Sequence, residues 1–269
     1  MKFEKTWTGN WENAFRGLRH PFESYAKSDS LFGIAESDAW LDDEVQEVAQ
    51  SYIDNWNDER VDPQIEQIRS DLYEKGILYY GKEAAEYALL GAKDLELAQK
   101  MIKAGTPNDK FLRQIFVSVD ITAPLYWWKE MDTYKVATVA NSTSTMHKLA
   151  TTPITKECFE MDDYTGSLKV FENFPYSPPE FVDDMWENII DICETLRKWY
   201  IKTKDIRYWK ELIRILPESW LQTRTWTANY STLRNIIHWR KGHKLTEWKS
   251  FLDWASELPY ADDLLFFEN

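Results

Sequence analysis

Between Trp226 and Arg240 the chain gathers Thr227, Asn229, Tyr230, Ser231, Thr232, Arg234 and His238. Hydroxyls, an amide, aromatic rings and fixed positive charge thus fall within one short stretch. Guanidinium forks suit phosphate, amides and hydroxyls suit the edges of a base, and an aromatic face suits stacking, so the set fits a nucleotide. On a helix these residues would sort into two faces, Asn229, Leu233, Ile236 and Arg240 on one and Thr227, Arg234 and His238 on another. Only one face can form a site. His238 and His243 are poorly spaced for a helical metal pair, and the cysteines, Cys158 and Cys193, form no Cys-x-x-Cys, so no metal site and no disulfide framework are expected.

The charge around this stretch differs from that of the whole. Over 269 residues, 32 Lys and Arg stand against 45 Asp and Glu, a net charge of −13. Residues 197–249 hold thirteen basic side chains and four acidic ones, a balance of +9 that leaves −22 for the remainder. The overall acidity argues against nucleic acid or an anionic membrane as partner, because both need a basic face that displaces counterions. A basic window in an acidic chain suits a small anionic ligand; it would equally arise from a solvated face or from a counter-surface for acidic helices. A 43% apolar fraction and 14 Trp exclude a disordered chain. The opening Met1-Lys2-Phe3-Glu4-Lys5-Thr6-Trp7 lacks an apolar signal core, and no stretch has the roughly twenty apolar residues of a membrane span. A soluble, cytoplasmic protein is the expectation.

The elements that must position these groups are mostly helical. Residues 38–55 carry Trp40, Val45, Val48 and Tyr52 at helical spacing, and Asp62-Pro63 opens a second helix that Gly76 stops. A third carries Leu95, Leu97, Met101 and Ile102 and ends at Gly105-Thr106-Pro107. The N-terminal third therefore reads as mostly helical. The period then changes, because Ile115, Val117, Val119 and Ile121 alternate with Gln114, Phe116, Ser118 and Asp120 as in a half-buried strand. Pro124 opens a short helix to Asp132 containing Trp127 and Trp128, which read as core. Residues 136–146 are too rich in hydroxyls for a core helix. Residues 151–179 read as irregular, with a hairpin near Tyr164-Thr165-Gly166-Ser167. Helices follow from Pro179, from Asp205 to Leu216, from Glu218 to Arg240 and from Leu245 to Leu258. The sum is an α+β, helix-rich single domain over 1–269 with a small antiparallel sheet, its acidic helical part at 1–105 and its binding core at 106–269.

The run from Leu216-Pro217 through Trp226-Thr227-Ala228-Asn229 to Arg240, followed by Thr246-Glu247-Trp248, resembles the flavin-dependent thymidylate synthases. The buried strand, the proline-started helix and the Asn141-x-x-Ser144 loop occur in the order of that family's strand, helix and signature loop. The family's Arg-His-Arg has no counterpart, since Thr133-Tyr134-Lys135 stands near its place. The resemblance implies a homotetramer that binds FAD and a pyrimidine nucleotide, and methylation or hydroxymethylation of dUMP at C5 by methylene-tetrahydrofolate, with NADPH as reductant. It implies Arg240 as the catalytic and nucleotide-binding arginine, Asn141, Ser144 and Arg234 as further substrate contacts, and Lys135, Asn229 and His238 as cofactor contacts. A non-catalytic nucleotide-binding or regulatory relative with the same fold is the alternative, and a helical interaction protein is a third reading.

Overall fold

The structure is a computed structural model and describes residues 1–35, 85–144, 149–161 and 178–268. At its centre is a four-stranded antiparallel sheet in the order β1 (Lys2–Gly9), β4 (Phe116–Pro124), β6 (Leu221–Asn229), β5 (Val139–Ser142). A two-stranded ribbon pairs β2 (Leu31–Ala35) with β3 (Ala85–Leu89). The alternation expected over 115–121 is β4, whose Val117, Val119, Ile121 and Ala123 point into the core while Ser118, Asp120 and Thr122 point away.

β6 corrects the expected helix over 218–240. That span divides into the strand and α6 (Tyr230–Arg240). Thr223, Thr225 and Thr227 alternate with Gln222, Arg224, Trp226 and Ala228, a β-branched pattern of period two that matches the alternation of β4. In register, Val117 lies opposite Ala228 and Val119 opposite Trp226, so the apolar faces coincide. On the other face the hydroxyls join across strands, Thr122 to Thr223 at 2.7 Å and Ser118 to Thr227 at 3.0 Å. Thr227 therefore lies on the strand and Asn229 at the helix cap, outside the helical faces expected for them, while Arg234 and His238 still share a face of α6.

The N-terminal third is also less helical than expected. Its described part has α1 (Trp11–Arg19) and α2 (Ala92–Ala104), but also β1, β2 and β3. β1 alternates poorly in sequence and is a strand because β4 offers it a partner edge, Phe3 opposite Ile121 and Thr8 opposite Val117. α2 ends at Gly105, whose φ of 66° needs no Cβ, as its sequence suggests. The helices expected over 38–55 and 62–76 and the hairpin near 164–167 lie outside the described residues.

α3 (Leu125–Met131) and α7 (Thr246–Ser256) cover the inner face of the sheet. Trp127 and Trp128 are core, as expected: both are buried, Trp127 lies 5.0 Å from the Trp248 ring, and the Trp128 indole N–H donates to the Gln222 carbonyl at 2.9 Å. Burial of such rings supplies much of the apolar area that holds sheet to helices. α4 (Pro178–Thr203) and α5 (Ile206–Ile215) form a hairpin over a second, smaller cluster that includes Leu149, Ile154, Phe159, Cys193 and Leu212. Among the described residues no helix is long and apolar enough to cross a membrane.

Candidate functional site

Where β6 passes into α6, the backbone turns from extended to helical, and the first helical N–H groups need acceptors. Asn229 supplies one: its Oδ1 accepts from the Thr232 N–H at 2.9 Å. Capping uses the oxygen and leaves the amide nitrogen for a ligand. α6 then carries Arg234 and His238 one turn apart along one wall of a cavity of about 690 Å³, within the range of small-molecule sites. The facing walls come from the segment after α3, with Lys135, from the 3-10 segment Asn108–Gln114, with Arg113, and from Phe266 and Phe267 beyond a π-helical turn at Ala261–Leu265.

Arg234 is anchored to the last of these walls, its Nη1 donating to the carbonyls of Leu264 at 3.3 Å and Leu265 at 3.1 Å. Burial lowers its pKa from the usual guanidinium value, opposed by the carboxylates of Asp109 and Glu268. Lys241 follows α6 and donates to Glu268, whose pKa is lowered first by that hydrogen bond and then by the fields of Lys241, Arg234 and His238. The cavity thus carries more cations than carboxylates, and its two carboxylates, Asp109 and Glu268, already act on those cations.

Four of the expected site residues, Lys135, Asn229, Arg234 and His238, line this one cavity. The other three do not. Asn141 lies on the edge strand β5, opposite Thr225 on the polar face of the sheet, and Ser144 follows that strand. Arg240 sits at the end of α6 with its Nη1 3.0 Å from Glu130 Oε2 and its guanidinium 4.3 Å from the Trp248 ring and 5.3 Å from that of Tyr134. The same carboxylate oxygen accepts from the Trp248 indole N–H at 2.9 Å and lies 3.5 Å from His243 Nε2. Arg240 Nε is buried with no hydrogen-bond partner.

The sequence reading missed Arg113, Asn235, Phe266 and Phe267, which also line the cavity. Asn235 follows Arg234 on the same helix and was within reach of a pattern argument; Arg113 and the two phenylalanines are brought there only by the fold. Of the thirteen cations between 197 and 249, only Arg234 and Lys241 line the cavity. On the α4–α5 hairpin Arg197 and Lys198 pair with Glu194, Arg207 with Asp205 and Arg214 with Glu211, the solvated-face explanation for that part of the window. Cys193 is buried, which pushes its thiol up to about 11 and removes it as a nucleophile at neutral pH. Among the described residues no group of His, Cys, Asp and Glu could hold a metal ion.

The helix-rich architecture around a small antiparallel sheet is that of a known enzyme fold. The chain is similar to a crystal structure of the flavin-dependent thymidylate synthase ThyX from Helicobacter pylori complexed with FAD and dUMP, at a TM-score of 0.55 and 15% identity, covering 99% of this chain and 98% of that one. A second ThyX structure from the same organism, with FAD and dUMP, matches at 0.54 and 14% over the same shares. The likeness is one of fold. No protein-family model matches the sequence, and no curated protein matches it.

Proposed function

We propose that the chain is a divergent flavin-dependent thymidylate synthase-like protein whose cavity binds a pyrimidine nucleotide, and that it transfers a one-carbon unit from methylene-tetrahydrofolate to C5 of dUMP or a related nucleotide. The observation that carries this reading is the convergence of Lys135, Asn229, Arg234 and His238 on one cavity. The whole-length likeness of the fold to structures complexed with FAD and dUMP supports it. The donor set fits such ligands: Arg113, Lys135, Arg234 and Lys241 for phosphate, the amides of Asn229 and Asn235 for a heteroaromatic edge, Phe266 and Phe267 for a ring face. A bound flavin supplies the hydride that reduces the transferred carbon, with NADPH as the external reductant. The protein's own part is to hold the phosphate, orient the pyrimidine and limit water. A homotetramer belongs to the same reading.

A second reading, a nucleotide-binding relative without catalysis, is favoured by a specific observation. Arg240, which the resemblance marks as the nucleotide arginine, is paired with Glu130 through Nη1 and stacked on Trp248, so part of its fork is already committed to a carboxylate within the protein. Thr133-Tyr134-Lys135 near the place of Arg-His-Arg removes two further guanidinium forks. Titration of the purified protein with FAD, followed in the visible spectrum, and with dUMP, followed by thermal stabilisation, separates the readings. Binding of both supports the enzyme; dUMP stabilisation without flavin binding supports the second reading; neither ligand binding overturns both.

A further inference from the structure

Burial does not account for Trp239. It stands near the end of α6 with 67% of its surface exposed, and so gains little of the stabilisation that a core position gives an indole. What it touches are two residues that line the cavity, Asn235 and His238, although Trp239 itself lies outside the lining. Its indole N–H donates to Asn235 Oδ1, one turn back on the helix, at 3.2 Å. Its ring stands nearly perpendicular to that of His238, with the centroids 5.1 Å apart.

An indole N–H can only donate, so the amide atom that meets it must be the oxygen. The end of Asn235 left over is then the nitrogen, with its N–H donors. The same logic holds at Asn229, whose Oδ1 is taken at 2.9 Å by the Thr232 backbone N–H, again a group that only donates. Among the described residues neither amide nitrogen donates to another protein group. Both amides therefore offer donors and withhold their acceptors. A ligand edge of carbonyl oxygens pairs with them, whereas an amino group sets donor against donor and leaves both unpaired. The first edge is that of a pyrimidine dione, present in uracil and in the isoalloxazine ring of a flavin; the second is that of cytosine. Asn229 is buried and fixed by its cap, but Asn235 is exposed, and without Trp239 its amide would turn to suit either edge.

We infer that Trp239 is a positioning residue: by holding the Asn235 oxygen it leaves the amide nitrogen to the cavity, which is thereby set to receive a dione edge and to refuse an amino one. Trp239 acts through Asn235 and not by touching the ligand. The inference rests on the reading that the cavity binds a pyrimidine nucleotide and names the group that enforces its choice of base.

Calorimetry of the full chain with dUMP and with dCMP tests it. The wild type is expected to bind dUMP about tenfold more tightly or better. Trp239→Phe keeps a ring beside His238 and loses the N–H. It is expected to bring that ratio down several-fold, with dUMP weakened and dCMP held or improved, because a freed amide can invert. A role in packing alone would weaken both nucleotides alike. In an Asn235→Ala background Trp239→Phe is expected to leave the ratio where it is, and an effect that persists there overturns the inference. A several-fold loss of FAD affinity in the visible spectrum, dependent on the same pair of residues and with the nucleotide ratio unmoved, assigns the dione to the flavin. A ratio and a flavin affinity that both ignore Trp239→Phe overturn the inference and leave the nucleotide reading standing. Failure of dUMP, dCMP and FAD alike to bind overturns both.

Discussion

Of the two carboxylates that line the cavity, Glu268 is the one to which a cavity cation, Lys241, donates directly. Its bond from Lys241 and its place in the field of Arg234 and His238 make it a competitor for any anion that enters. Glu268→Gln is expected to tighten binding of dUMP, and of inorganic phosphate, several-fold by calorimetry, whereas Arg234→Ala weakens both. Arg240 behaves differently, because its partners are Glu130, Trp248 and Tyr134 rather than cavity walls. Arg240→Ala leaves the half-buried Glu130 short of a donor and removes a stacked cation, at a cost of about 1–3 kcal/mol. The expected outcome is a melting temperature several degrees lower with a smaller change in nucleotide affinity than Arg234→Ala gives. The reverse order would return Arg240 to the binding site.

At the scale of elements, the junction of β6 and α6 joins stability to binding in one side chain. Asn229→Ala removes the cap of α6, about 1 kcal/mol, and the cavity amide together. Asn229→Ser retains a capping oxygen and loses only the amide. Serine is therefore expected to preserve the melting temperature while lowering nucleotide affinity, and alanine to lower both. The α4–α5 hairpin carries a pH dependence of its own. Hydrogen bonds from Arg197, then that from the Ile154 backbone N–H and the charges of Arg197 and Lys198, hold the Glu194 carboxyl at about 2 against an ordinary value of 4.5. A depressed carboxyl contributes its stability above the unfolded value, and the contribution is lost as pH falls from 4.5 toward 2. Wild type is expected to melt above Glu194→Gln near neutral pH, with the gap closing across that acid range. A gap that stays constant with pH would remove Glu194 as its source.

For the molecule as a whole, the net charge of −13 and the cationic cavity act in opposite senses on an anionic ligand. Local cations win at short range, and the acidic remainder is felt at distances that salt screens, beyond about 8 Å at physiological ionic strength. Raising salt moderately from a low starting value is thus expected to cost phosphate affinity less than a uniformly basic site would lose, as a calorimetric salt series reads out. A steep loss would mean that exposed Lys135, rather than half-buried Arg234, dominates binding.

The sequence alone carried the patterns that are local. Alternation over 115–121, the proline-started helix with its core tryptophans, the glycine stop after Ala104 and the helices from Pro179 and Asp205 all follow from period and capping, which neighbouring residues settle among themselves. Four residues that line the cavity, Lys135, Asn229, Arg234 and His238, were also legible as candidates. Tertiary structure decided the rest. β6 carries a period-two alternation that the expected helix passed over, and β4 makes it a strand by supplying hydrogen bonds and a matching apolar face. Arg240 lies apart from the cavity because Glu130, far from it in sequence, and Trp248, two turns of chain beyond it, offer a carboxylate and a ring, while Arg113 and Phe266 reach the cavity because chain segments more than a hundred residues apart meet at α6. Which cation meets which carboxylate depends on distances through space, and those are set by the packing of the whole chain.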